Sequence, residues 1–87
     1  MTKKPKIIRD EIDLHGMTVD EAIPRIEEFL YAAYQSKLRR VWIVHGKGTG
    51  TLKQEVVRYL QKSSLVRSFQ PADSSRGGYG TMQIDLN

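Results

Sequence analysis

One stretch of this chain restricts its fold more than any other: His45-Gly46-Lys47-Gly48-Thr49-Gly50. The apolar run Val41-Trp42-Ile43-Val44 leads into it, and a helical pattern from Leu52 to Leu60 leads out. A strand that breaks into spaced glycines and then a helix is suited to holding an anion. Glycine permits a tight turn and lets a phosphate approach without a Cβ in the way. The first N–H groups of the following helix lack internal partners and lie at the positive end of its dipole. Lys47 adds a mobile positive charge. The stretch therefore points to a bound phosphate or carboxylate.

Two familiar nucleotide motifs do not fit. A P-loop needs Gly, four residues and then Gly-Lys-Ser/Thr, and here Lys47 precedes most of the loop. A dinucleotide fingerprint needs Gly-x-Gly-x-x-Gly and an acid roughly 20 residues later. Here the third glycine comes one residue early, and Asp73 lies too far along, in a turn-like segment.

The rest of the chain reads around that centre. Ile7 to Leu14 is a strand, best defined at Ile12-Asp13-Leu14. Alternation puts Ile12 and Leu14 on one face and Asp13 and His15 on the other. Gly16 ends it. Thr18-Val19-Asp20-Glu21 has the spacing of a capping box. Val19, Ile23, Ile26, Leu30 and Ala33 then form one apolar stripe, ending around Gln35 to Lys37. Pro24, past the first turn, removes a hydrogen bond and predicts a distortion near 20–24. Arg40 to His45 is the second strand. Its apolar run suggests burial on both sides and places Trp42 in the core. Thr51-x-x-Gln54 opens a second helix as another capping box, with Leu52, Val56, Tyr59 and Leu60 inward and Ser63-Ser64 as its end. Leu65 to Gln70 is a short third strand, Pro71 to Gly80 a long polar loop, and Thr81 to Leu86 the last strand.

The order βαβαββ predicts a two-layer α/β sandwich with both helices on one face of the sheet. Ligands of parallel sheets gather beyond the carboxyl ends of the strands. Asp13-Leu14-His15-Gly16 and His45-Gly46-Lys47-Gly48 therefore come to the same edge.

Charge placement narrows the partner. The 87 residues carry a formal charge of +4. From Phe29 to Ala72 the sole acid is Glu55, among Lys37, Arg39, Arg40, Lys47, Lys53, Arg58, Lys62 and Arg67. Lys3, Lys4, Lys6 and Arg9 form a basic arm, residues 1–10, that runs into the first strand. A basic block around an anion loop fits a polyanion, and DNA or RNA is the commonest. Without cysteine there is neither a disulfide framework nor a thiolate metal site. No apolar run approaches a membrane span and the N-terminus has no signal-type region. The expectation is a cytoplasmic domain, monomeric when isolated.

Ile12-Asp13-Leu14-His15-Gly16, His45 to Gly50 and Gly77-Gly78-Tyr79-Gly80 together resemble the small MutS-related (Smr) domain, in spacing and element order from about Glu11 to Leu86. The resemblance implies a domain over 11–87. It also implies a mixed four-stranded sheet of order 1-2-4-3 with the last strand antiparallel, similar to the C-terminal domain of translation initiation factor 3. It further implies nicking endonuclease activity on DNA or RNA, and for some members a ribosome-associated role. The alternative it leaves open is a non-catalytic module that binds branched DNA or structured RNA. Members with nuclease activity often carry Arg where this chain has His15, exchanging a permanent charge for a titratable ring.

Asp13, His15 and His45 are the catalytic candidates. Asp13 can orient a histidine or hold a metal such as Mg or Mn that activates water. An imidazole titrates near neutrality and can act as general base or acid. Their bland roles are a carboxylate satisfying loop N–H groups and histidines that shape the loop. Gly46, Lys47, Gly48, Thr49 and Gly50 are the phosphate loop. Arg76, Gly77, Gly78 and Gly80 form a turn that can close over a bound strand. Arg39, Arg40 and Lys53 add positive surface. Tyr79 is the better candidate for base stacking, ahead of Trp42.

Overall fold

The computed structural model describes residues 9–48, 50–76 and 78–87. Residues 1–8 of the predicted arm, Thr49, Gly77 and the Tyr79 ring lie outside what is described. The elements are β1 (Glu11–Asp13), α1 (Val19–Gln35), β2 (Arg40–Val44), α2 (Thr51–Lys62), β3 (Val66–Pro71) and β4 (Thr81–Leu86). Two short 3-10 turns, Ser74–Arg76 and Gly78–Gly80, occupy the connection before β4. The sheet order is β1-β2-β4-β3, with β1 parallel to β2 and β4 antiparallel to both of its neighbours.

One core explains the layering. Alternation turns Leu14 inward just after β1, Val41 and Ile43 inward from β2, and Met82, Ile84 and Leu86 inward from β4. Ala22, Ile26, Leu30 and Ala33 of α1 and Val56 and Leu60 of α2 meet them in the same cluster. Both helices therefore cover one sheet face. Burying each large aliphatic side chain contributes about 1.5–3 kcal/mol.

The local signals differ in outcome. The Thr18 capping box is present in both directions. The expected box at Thr51 is not formed as a cap: Gly50 is the N-cap, in a left-handed conformation without a side-chain cap bond, and Thr51 is already helical. α1 runs through exposed Pro24 without a break, because its buried stripe holds the helix on either side. β1 begins at Glu11, so Arg9 and Asp10 of the predicted strand precede it, and Ile7 and Ile8 lie outside the described residues. Two-sided burial of β2 does not hold. Val41 and Ile43 are fully buried, but Trp42 and Val44 are half-buried on the face that no helix covers. Trp42 is thus not a core residue; the Arg76 guanidinium lies over its ring, with Cζ 3.7 Å from the centroid.

Candidate functional site

The parallel pair β1 and β2 brings two strand ends together. Leu14 N–H donates to the Val44 carbonyl at 2.7 Å, which carries the pairing one step beyond β1 and leaves Asp13 and His15 pointing away from the core. Asp13 Oδ1 accepts from the His15 backbone N–H at 3.0 Å and faces His15 Nδ1 at 2.6 Å. These bonds, that from the His15 ring first, hold the Asp13 carboxyl below the usual carboxylate range. An ionised carboxylate only accepts, so Nδ1 is the donor of this pair, and in the neutral ring Nε2 is then the acceptor. Both side chains are open to solvent, 55% exposed for Asp13 and 70% for His15.

β2 ends differently. His45 and Gly46 N–H groups both donate to the Gly80 carbonyl, at 2.9 and 3.0 Å, tying the glycine loop to the turn before β4. Gly46 has φ +82°, and a Cβ there would stand 3.1 Å from His15 Cβ. Glycine at 46 is therefore what lets the loop pass against the end of β1. His45 is only 4% exposed. Its Nδ1 is 2.8 Å from the Gly46 carbonyl and must be the donor, since a carbonyl only accepts. Burial lowers its pKa from 6.5, and the nearby Lys53 charge acts in the same direction against the raising effect of the Gly46 bond. His45 Nε2 is enclosed with no hydrogen-bond partner among the described residues, as is Trp42 Nε1.

The starts of both helices and both strand ends surround a cleft of about 440 Å³. His15 and Gly16 line it from β1, Met17 and Thr18 from the start of α1. His45, Gly46, Lys47, Gly48 and Gly50 line it from the loop, and Thr51 and Lys53 from α2. The predicted candidates His15, His45, Gly46, Lys47, Gly48, Gly50 and Lys53 are thus brought together, with Asp13 bonded to His15. Gly80 contributes its carbonyl to the loop, and Gly78 sits in the adjoining turn. Arg76 lies on the open sheet face, over Trp42 and 3.5 Å from Glu11 Oε1. Arg39 and Arg40 are not at the cleft. They stand at the opposite end of β2, where Arg40 Nε donates to Asp85 Oδ1 at 2.7 Å and both line a separate hollow with Arg67 and Ser68.

Sequence reasoning missed that Met17 and Thr18 form a wall of the cleft. The signal was there: a capping box two residues after the glycine that ends β1. No group of three or more His, Cys, Asp or Glu able to hold a metal ion occurs among the described residues. Asp13 and His15 engage each other and do not make a metal cage by themselves. Among the described residues no helix is long and apolar enough to cross a membrane.

Comparison with known proteins places this geometry. The Smr domain model matches residues 12–87. Endonuclease MutS2 of Pelotomaculum thermopropionicum is 37% identical over 86 residues, which is 99% of this chain and 11% of that protein. Endonuclease MutS2 of Thermotoga maritima is 39% identical over 83 residues, 95% of this chain and again 11% of the longer one. The crystal structure of the Smr domain of Thermus thermophilus MutS2 matches with a TM-score of 0.87 at 35% identity, covering 91% of this chain and 99% of that one. YdaL of Escherichia coli, a stand-alone small MutS-related protein, matches with a TM-score of 0.86 at 26% identity, covering 90% and 64%.

Proposed function

Because the chain belongs to the Smr domain family, we propose that it binds nucleic acid at the cleft between β1 and the start of α2, and cuts one phosphodiester bond there as a nicking endonuclease on DNA or RNA. One observation carries this reading: an Asp13–His15 pair at 2.6 Å beside a helix start with Gly50 as its N-cap, no acid in its first turn, and Lys47 and Lys53 on either side. The N–H groups at the start of α2 and the lysines take the charge of the phosphate and of the transition state. Asp13 orients the His15 ring, and neutral His15 takes at Nε2 the proton of the attacking water or, on RNA, of the 2′-hydroxyl; as the new P–O bond forms, the bond to the leaving oxygen breaks and that oxygen takes a proton from solvent. His45, buried and neutral, holds the loop through Gly46 and is suited to positioning rather than to donating a proton. The basic arm and the block from Lys37 to Arg67 give a polymer more to hold than a small metabolite needs.

The test uses purified protein with supercoiled plasmid and with structured RNA, each with and without Mg²⁺ or Mn²⁺, beside Asp13→Ala and His15→Ala. The expected result is cleavage by the wild type, lost in both variants, with salt-sensitive gel shifts retained in all three. Cleavage that survives in both variants overturns the site. Absence of cleavage with binding retained makes this a binding module for branched DNA or structured RNA.

A further inference from the structure

The sheet face opposite the helices has one aromatic ring at its centre. Trp42 lies between Glu11 of β1 and Gln83 of β4 in register, and Gln83 in turn pairs with Gln70 of β3. Its neighbours across the sheet are thus polar, and its ring is half-buried. Among the described residues, the flat guanidinium of Arg76 is stacked on it, and that side chain is otherwise held by an exposed 3.5 Å contact to Glu11 Oε1. Exposed pairs of that kind contribute little and are easily exchanged.

We propose that Trp42 is a stacking platform for an unpaired nucleobase, which takes the ring face that the Arg76 guanidinium now covers. The inference rests on the nucleic-acid reading above and adds a subsite to it. A planar group already seated on the indole shows that this ring face accepts flat partners. Bases stack on tryptophan with little regard to sequence. Gln83 and Gln70 each offer a donor and an acceptor to the edge of such a base. A four-stranded sheet with an aromatic on its open face is also how other folds take up single strands.

The platform lies a short way along the sheet from the Asp13–His15 pair. Trp42 precedes Val44 by two residues on β2, and Val44 is paired with Asp13. The ring therefore lies roughly 7 Å along the strand from the Asp13–His15 pair. That suits a nucleotide next to the one whose phosphate occupies the cleft. The occupant is a single strand because a ring lying on a flat sheet needs a base face that pairing and stacking in a duplex would hide. On moving off the ring, Arg76 remains close enough to meet the backbone of the same strand.

Trp42 is the sole tryptophan of the chain, so its emission reads this subsite directly. The full chain is titrated with a short oligothymidylate and, separately, with inorganic polyphosphate of matched charge. Binding is followed in parallel by anisotropy of an end-labelled oligothymidylate. The expected result is quenching of Trp42 on the same isotherm as the anisotropy, with polyphosphate bound but causing little quenching. Trp42→Leu weakens the oligonucleotide roughly tenfold and leaves polyphosphate unaffected, whereas Trp42→Phe retains most of the affinity. Full anisotropy change with unaltered emission overturns the platform and leaves nucleic-acid binding standing. Wild-type affinity in folded Trp42→Leu does the same. Absence of binding to any nucleic acid sinks both readings.

Discussion

The two helices begin at the same cleft and are finished in opposite ways. At α1, Thr18 Oγ1 accepts from the Glu21 N–H at 3.2 Å and Glu21 Oε1 accepts from the Thr18 N–H at 3.0 Å, with Asp20 and Glu21 both in the first turn. The Thr18 backbone bond, then the hydroxyl bond, hold the Glu21 carboxyl below its ordinary range. At α2 the N-cap is Gly50 at φ +88°, which has no side chain to cap the turn, and the first turn holds no acid. One helix start is closed by the protein's own carboxylate. The other has glycine at its N-cap and basic residues, Lys47 and Lys53, on either side. The difference explains why a cleft walled by both helices is directional: a phosphate is repelled by one wall and drawn to the other.

The largest expected effect comes from disturbing how these starts are brought together. Gly46→Ala places a methyl 3.1 Å from His15 Cβ at a φ of +82°. It should lower stability by about 2 kcal/mol in chemical denaturation, combining left-handed strain with displacement of His15. Gly50→Ala meets nothing within 4 Å and carries the left-handed strain alone. It should therefore cost less, about 1 kcal/mol. Equal losses in the two variants would show that the contact between loop and strand end is not what glycine at 46 serves.

Next in size is a direct attack on the asymmetry. Lys47→Glu gives the open start an acid of the kind the closed start already has. Affinity for DNA or RNA should fall about tenfold at low salt, with the salt slope reduced by about one. The exposed position of Lys47 predicts little change in melting temperature. Unchanged affinity would break the claim that the start of α2 is the anion-binding side.

Much of this geometry was legible in local chemistry. Thr81 to Leu86 emerges as a strand with the bounds read from alternation, and the Thr18 capping box forms as its spacing requires. Strand order was not legible in the pattern, because period-two alternation assigns a face and not a neighbour; it came from the family resemblance. Trp42 was misplaced for a related reason. An apolar run looks the same whether one or both sheet faces are covered, and only the helix placement decides. Arg39 and Arg40 counted towards a basic block, but a strand separates them from the loop that follows it. The His45 and Gly46 backbone is tied to the Gly80 carbonyl, a contact from the far end of the chain that no local motif encodes.

A smaller effect should appear on acidification. Burial lowers the folded-state pKa of His45 below 6.5. Below that value the unfolded chain takes up a proton that the folded chain refuses, so stability falls as pH falls until the folded pKa is reached. The slope from this one group is at most about 1.4 kcal/mol per pH unit. His45→Asn should flatten the loss measured by denaturation as the pH falls below about 6.5. Asp13 has a lowered pKa, so its contribution is present above the ordinary carboxylate value and is lost only in stronger acid. An unaltered slope in His45→Asn would mean that the imidazole charges freely within the fold.

The smallest effect tests the closed start. Thr18→Ala removes the hydroxyl that receives the Glu21 N–H and should cost about 1 kcal/mol of stability. Because Glu21 also accepts from the Thr18 backbone N–H, which the variant keeps, the acid stays at the helix start and its field persists. Nucleic-acid affinity should therefore stay within about twofold, a change below 0.5 kcal/mol by the usual conversion. Glu21→Gln keeps the shape of the box and removes its charge. If the closed start repels a bound phosphate, this variant should tighten binding at low salt and lose that advantage as salt screens the cleft. Tighter binding in Thr18→Ala but not in Glu21→Gln would assign the asymmetry to access and not to charge.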